Sequence, residues 1–308
     1  MHALWRVCEP LYRRLLYAES IINKKRGVAF HDEVTPADTA TVTGRISGEN
    51  HPFVEHFKFV KQFEDENTVA RQTMPSPAQT RFVLTGNAAA YPYDEFYKND
   101  DELTADIVAA YRQVIADLYA AGCRNVQFDD CTWTRLCDAS VRERLGWSDE
   151  DALRLQQENL DVINAVIADQ PDDLVINTHV CRGNFHSTWL SSGGYAPVAA
   201  KLFGEENVDA YYLEFDDDRS GDFAPLAEVS GDKKVVLGLI TSKKPDLEDP
   251  DTIKARIQEA AQYIPLDRLC LSTQCGFAST QEGNKLTEDQ QWAKIALVQS
   301  IAKDVWGE

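Results

Sequence analysis

The sequence predicts an α/β fold, a TIM-type (β/α)8 barrel forming a single domain over residues 1–308, with residues 1–50 as an atypical amino-terminal segment. Three observations lead there. From about residue 100 onward, apolar residues alternate between helical and strand spacing. Strands that take turns with helices pair in parallel, because each helix carries the chain back to the edge where the next strand starts. Residues able to bind metals or polar ligands, Asp129, His179, Glu214 and Cys275, fall at the carboxyl ends of several of these strands, the rim where a barrel carries its functional groups. An open dinucleotide-binding sheet would instead show a glycine fingerprint after an early strand, and the sequence has none.

The elements follow in order. Over the first hundred residues the pattern is weakest: residues 28–30 and 71–74 have strand character, residues 53–63 have helical character, and residues 41–50 and 75–77 read as loop. Leu103, Ile107, Val108, Tyr111, Val114, Ile115 and Leu118 then recur on one helical face, with Gly122 placed to end the helix. Residues 125–129 read as a strand, the stretch from Ser148 to about Asp169 as a helix, and residues 174–179 as the next strand. Residues 210–214, 234–240 and 268–273 complete six expected strands, with a helix over about residues 250–263. The last helix opens at Thr287, whose cap Gln290 can reciprocate, and closes near Trp306. No repeat, low-complexity tract or linker-like composition divides the chain.

Composition narrows the partners. With 44% apolar and 10% aromatic residues the chain can bury a large core. No run approaches the about 18 uninterrupted apolar residues of a membrane span. The basic residues near the start follow the apolar ones, and no small-residue cleavage site appears, so no secretory leader is expected and a cytoplasmic location is. A formal charge of −19 argues against nucleic acid as a partner and asks any polyanionic ligand to find a local basic patch. Seven cysteines at irregular spacing argue against a disulfide framework and for reduced thiols. A homo-oligomer is compatible with all of this.

His179-Val-Cys181 is the densest chemical signal. Residues two apart on a strand share a face, so an imidazole and a thiol emerge side by side at the rim, and both are good zinc ligands. The pair alone reads as readily as a core histidine beside a buried cysteine. Glu214, ending the next strand, and Cys275, just past the last, would stand on the same mouth. Each has a rival: Asp216 shares the face of Glu214 at the start of an acidic run, and Cys270 lies within the strand before Cys275, where burial suits it. Four protein ligands also describe a structural zinc site. Among weaker candidates, Asp130 either assists Asp129 or, since it should point to the opposite strand face, fills a structural role, which suits it better. His186 is an exposed loop residue or a proton shuttle. Trp133, Trp189, Tyr91 and Tyr93 line a pocket or pack, and Arg182 binds a substrate carboxylate or forms a surface ion pair.

The segments His179-Val-Cys181-Arg-Gly-Asn184, Tyr212-Leu-Glu214 and Gln274-Cys275-Gly-Phe277 resemble the zinc-binding segments of the cobalamin-independent methionine synthases, and more closely those of their short single-barrel relatives. Val126-Gln-Phe-Asp129-Asp130 is similar to the strand whose aspartate holds the amino group of homocysteine, and Arg71-Gln-Thr-Met-Pro-Ser-Pro77 to a further segment. The likeness runs in order over roughly residues 50–305. It implies a Zn2+ ion held by His179, Cys181, Glu214 and Cys275, with Glu214 displaced by an incoming sulfur. It implies Asp129 as a catalytic and substrate-binding residue, and methylation of a small thiol, homocysteine first, by a folate or corrinoid donor. Coenzyme M is the rival thiol, since related barrels use similar ligands; a barrel with structural zinc and a different or non-catalytic role is the rival class.

The Gly-Ser-Phe and Gly-Glu-Phe turns of that family's first two strands are absent from this sequence. Residues 1–50 are therefore expected to close the barrel differently, to leave it open, or to take an edge from another chain. Full-length synthases bind a polyglutamylated methyltetrahydrofolate between two barrels, whereas these residues suffice for one. A donor needing less enclosure is the expectation, a methyl-corrinoid or a simpler methylated compound.

Overall fold

The computed structural model describes residues 30–33, 44–85, 93–280 and 282–307. Helix α1 (Phe53–Lys61) leads into strand β1 (Gln72–Pro75), followed by α2 (Pro77–Thr85) and α3 (Asp100–Ala120). Strand β2 (Asn125–Asp130) precedes α4 (Thr132–Cys137), α5 (Ala139–Leu145) and α6 (Asp149–Ile167); β3 (Val175–Val180) precedes α7 (Ala199–Glu205). Strands β4 (Ala210–Glu214) and β5 (Lys234–Ile240), helix α8 (Pro250–Ala260), strand β6 (Leu269–Thr273) and helix α9 (Glu288–Trp306) complete the chain.

The six strands form one sheet in the order β1-β2-β3-β4-β5-β6, and every pair is parallel. Sequential order without reversal is that of a (β/α) barrel; a doubly wound sheet would reverse at a switch point. The sheet is strongly curled. Arg71, which immediately precedes β1, reaches the Tyr212 hydroxyl on β4 at 2.5 Å. Strands three places apart in a flat sheet would be separated by about 14 Å. Among the described residues, β6 does not pair with β1, so the arc comprises six strands.

Alternation along the strands assigns the two faces. Val126, Phe128, Ile176, Val180, Tyr211, Leu213, Val235 and Leu237 point outward and are buried against helices such as α3 and α6, whose apolar stripes include Leu103, Ile107, Val114, Leu118, Leu160 and Ile163. Asn125, Gln127, Asp129, Asn177, His179, Tyr212 and Glu214 fall on the opposite, inward face.

Helix ends follow their caps. Ser148 and Asp151 form a capping box at the start of α6, and Thr287 and Gln290 form one at the start of α9. The predicted strands and long helices are found within one to three residues of their expected bounds. Residues 75–77 are the exception: Pro75 closes β1 and Pro77 opens α2, so only Ser76 is left as a connection. Proline at a first helical position has no N–H to leave unpaired, which makes it a start signal there as well as a breaker. The strand expected at residues 28–30 falls mostly outside the described residues, and Phe30 is not in a strand.

Candidate metal centre

Each member of the predicted quartet sits where a strand reaches the rim. His179 is the penultimate residue of β3 and faces Asp129 across β2 and Tyr212 across β4. Cys181 follows β3 on the same face, its backbone held by an N–H to Asp130 O at 2.7 Å and a C=O that accepts from Thr134 Oγ1 at 2.7 Å. Glu214 ends β4 and is fully buried. Cys275 arrives two residues beyond β6 through a close passage. A Cβ on Gly238 of β5 would meet Leu213 O at 2.6 Å and Gln274 Cα at 2.7 Å, so only glycine lets the chain cross there. A register irregularity between Gly238 and Ile240 accompanies the crossing.

The structure brings the four together. One donor atom from each of His179, Cys181, Glu214 and Cys275 lies within 4.8 Å of all the others, and the two sulfurs are 3.9 Å apart. Ligand atoms around a tetrahedral zinc stand about 3.3–3.8 Å from one another, given bonds of about 2.0–2.3 Å, so a small contraction suffices to close on an ion. The histidine is prepared for this. His179 Nδ1 lies 3.1 Å from Tyr212 O, a contact that requires Nδ1 to carry the proton. Nε2 is then the nitrogen left to give up its proton to an incoming metal, and it is buried without a hydrogen-bond partner. A partnerless buried nitrogen close to two sulfurs and a carboxylate is a donor set that a divalent cation satisfies.

The electrostatics agree. Burial works against a charged His179, yet the Cys275 sulfur and the Asp129 and Glu214 carboxylates outweigh it and push the imidazole up to about 10. The Cys181 thiol is pushed well above its ordinary value by the adjacent Cys131 sulfur, with burial and Glu214 adding to the rise. Cys275 is raised first by Cys181 and then by burial. Anionic groups crowded into a dry site resist ionising until a cation joins them. Glu214 is held at both oxygens: Oε1 accepts from the Arg182 backbone N–H at 2.7 Å, and Oε2 lies 3.4 Å from Arg219.

The rivals are placed elsewhere. Asp216 pairs with Arg219 at 2.7 Å and does not join the quartet. Cys270 opposes Val236 low on the inward face, beside Arg71, Asn177 and Tyr212. Asp130 faces outward, fully buried, accepting from Ser76 Oγ at 2.5 Å and from Thr132 N and Oγ1 at 2.6 Å. Both expected roles of Arg182 are corrected. Its side chain is completely buried, donates to Gly193 O at 2.6 Å and stacks 4.5 Å from the Tyr195 ring centroid, so it is neither a surface ion pair nor open to a substrate.

Among the other candidates, His186 pairs with Glu33 at 2.9 Å. Trp133 is core, and Trp189 stacks between His31 and Arg219. Tyr93 hydrogen-bonds Asp100, and Tyr91 lies outside the described residues. Sequence reasoning missed Cys131, Arg219, and the inward polar residues Asn125, Gln127 and Asn177. Period-two spacing from Asp129 and His179 would have flagged the last three.

Asp129 stands beside His179 on the inward face. Burial pushes its carboxyl up, against the pull of His179, of Gln127 and of Arg71.

Comparison with known proteins bears on this geometry. The profile of the cobalamin-independent synthase catalytic domain matches residues 58–297. The uncharacterised protein YxjH of Bacillus subtilis is 44% identical over 281 residues, covering 91% of this chain and 73% of its own length. A crystal structure from Listeria monocytogenes, provisionally named a vitamin-B12-independent methionine synthase, superposes with a TM-score of 0.68 at 38% identity, covering 87% of this chain and 74% of that one. A B12-independent methionine synthase from Shewanella sp. W3-18-1 shares the fold, with a TM-score of 0.66 at 18% identity over 93% of this chain and 75% of that one.

Proposed function

The chain belongs to the family of cobalamin-independent synthase catalytic domains, and from that premise we propose that it is a zinc-dependent S-methyltransferase acting on a small thiol, homocysteine first. The observation that carries this reading is the buried His179–Cys181–Glu214–Cys275 quartet with its unpartnered imidazole nitrogen. A zinc ion held there would lower the pKa of a bound thiol from its ordinary value near 8.5 and keep it as a nucleophilic thiolate.

The remaining work falls to the chain. Glu214 suits the role of displaceable ligand because Arg182 N–H and Arg219 already stand at its two oxygens, so a carboxylate that withdraws is not left bare in a buried site. Cys181 and Cys275 meet no arginine, lysine or backbone N–H donor among the described residues; their sulfurs lie 3.9 Å from each other and, at Cys275, 3.6 Å from the Ser279 hydroxyl, and they suit permanent ligation. Asp129, beside His179 on the neighbouring strand, suits the ammonium group of an amino-acid thiol. The sulfur then attacks the methyl carbon; the S–CH3 bond forms as the bond from that carbon to the donor's nitrogen or cobalt breaks, and the electron pair leaves with the donor.

Among the described residues no helix is long and apolar enough to cross a membrane. The single-domain organisation over residues 1–308 is part of the same proposal. The test is single-turnover methylation by zinc-loaded protein of homocysteine and of coenzyme M, each with methyltetrahydrofolate and with methylcobalamin. Methionine formation with either donor supports the reading. Methylation of coenzyme M alone would move the acceptor, and no product from any pair would overturn it.

A further inference from the structure

Barrel interiors are ordinarily filled by branched apolar side chains. Below the rim of this one, beside Ala210, Val236 and Cys270, the interior holds a polar network centred on Arg71. Its Nε donates to Asn125 Oδ1 at 2.9 Å, one terminal nitrogen to Gln127 Oε1 at 2.8 Å, and the other to the Tyr212 hydroxyl at 2.5 Å. Asn177 Nδ2 adds a further bond to Asn125 Oδ1 at 3.0 Å. One guanidinium thus ties together β2 and β4 from a position at the start of β1, and its planar fork is suited to hold three acceptors in fixed directions.

The network has a direction. Guanidinium groups only donate, so the end of Gln127 that faces Arg71 must be its carbonyl. The amide NH2 is thereby turned the other way, where it donates to Asp129 Oδ1 at 2.8 Å. Without Arg71 the Gln127 carbonyl loses its donor, and the side chain is free to swing to another rotamer and leave the carboxylate. Tyr212 extends the same frame to the metal site: its hydroxyl receives Arg71 while its backbone carbonyl receives the His179 Nδ1–H at 3.1 Å.

Granted that Asp129 receives a substrate ammonium group, as proposed above, we propose that Arg71 is a positioning residue that acts through Gln127 to aim Asp129, and thereby sets the preference for thiols that carry an amino group. Gln127 occupies one carboxylate oxygen, and the ammonium group would take the other. A residue that merely filled the interior would influence every thiol alike.

The experiment is calorimetric titration of the zinc-loaded protein with homocysteine and with 4-mercaptobutyrate, which lacks only the amino group. Wild type, Arg71→Met, Gln127→Met, Asp129→Asn and the Arg71→Met/Asp129→Asn double variant are compared. The expected result is that each single variant weakens homocysteine about tenfold or more, the size of a lost hydrogen bond to a charged group. 4-Mercaptobutyrate should stay within about twofold, and the double variant should add nothing to Asp129→Asn. A selective Asp129→Asn beside variants of Arg71 and Gln127 that weaken both thiols equally, or neither, would overturn the proposal while leaving Asp129 its role. An Asp129→Asn that fails to discriminate would overturn the reading of Asp129 itself. Should Arg71→Met not fold, Gln127→Met carries the same expectation.

Discussion

Cys181 Sγ and Cys275 Sγ stand 3.9 Å apart although they follow β3 and β6, three places distant in the sheet. Two features produce that proximity: the curl of the sheet, and the crossing at Gly238 that lets the chain after β6 lean across β5. The fold and the candidate metal centre are therefore one structural fact. A sheet that opened flat would scatter the donors.

Cys275→Ser is expected to abolish stoichiometric zinc, whereas Cys270→Ser, altered lower on the inward face, should retain it. Metal content after dialysis measures this. Equal zinc in the two variants would remove Cys275 from the site.

Asp130→Ala should lower stability by about 2–4 kcal/mol, because it strips a buried carboxylate from Ser76, Thr132 N and Thr132 Oγ1. Urea unfolding gives the loss, and one zinc per chain should still bind. Zinc loss with stability unchanged would make Asp130 part of the centre.

Glu206 is buried beside Thr178, and burial raises its carboxyl from 4.5 to about 8. The folded state therefore holds a proton that the unfolded state releases above pH 4.5. This contribution to stability is full below that pH, declines by at most about 1.4 kcal/mol per unit as pH rises, and is gone above about 8. Comparing urea unfolding of wild type and Glu206→Gln from pH 5 to 8 isolates it: the variant should lose this part of the slope. Identical slopes would mean that Glu206 ionises normally.

Arg219 is buried between Glu214 and Asp216. Arg219→Met leaves two buried carboxylates without their counter-charge, a loss of about 3–5 kcal/mol. Zinc should restore part of it, since a cation compensates Glu214 but not Asp216. Thermal melts with and without zinc measure both effects; equal destabilisation in the two conditions would separate Arg219 from the metal site.

How much of this was legible in the sequence depends on the range of the interaction. His179, Glu214 and Asp129 could be read because each sits at the carboxyl end of an apolar strand run, where local pattern and chemistry coincide. His179 and Cys181 could be paired because two residues along a strand is one face. Helix α2 was hidden because Pro75 and Pro77 look like breakers, although one ends a strand and the other begins a helix. Arg71 was out of reach: its partners Asn125, Gln127 and Tyr212 lie 54, 56 and 141 residues away, across the barrel interior. Burial of Arg182 was equally opaque, since its side chain donates to a backbone carbonyl and stands over the Tyr195 ring, contacts that no local pattern signals.

The central claim, that this centre uses zinc to activate a substrate thiol, is tested most directly by zinc K-edge X-ray absorption of the loaded protein with and without homocysteine. The expected result is a first shell of two sulfurs and two lighter atoms that becomes three sulfurs and one lighter atom when homocysteine is added, as Glu214 gives way. A shell that homocysteine leaves unchanged at saturating concentration would make the zinc structural and contradict the account.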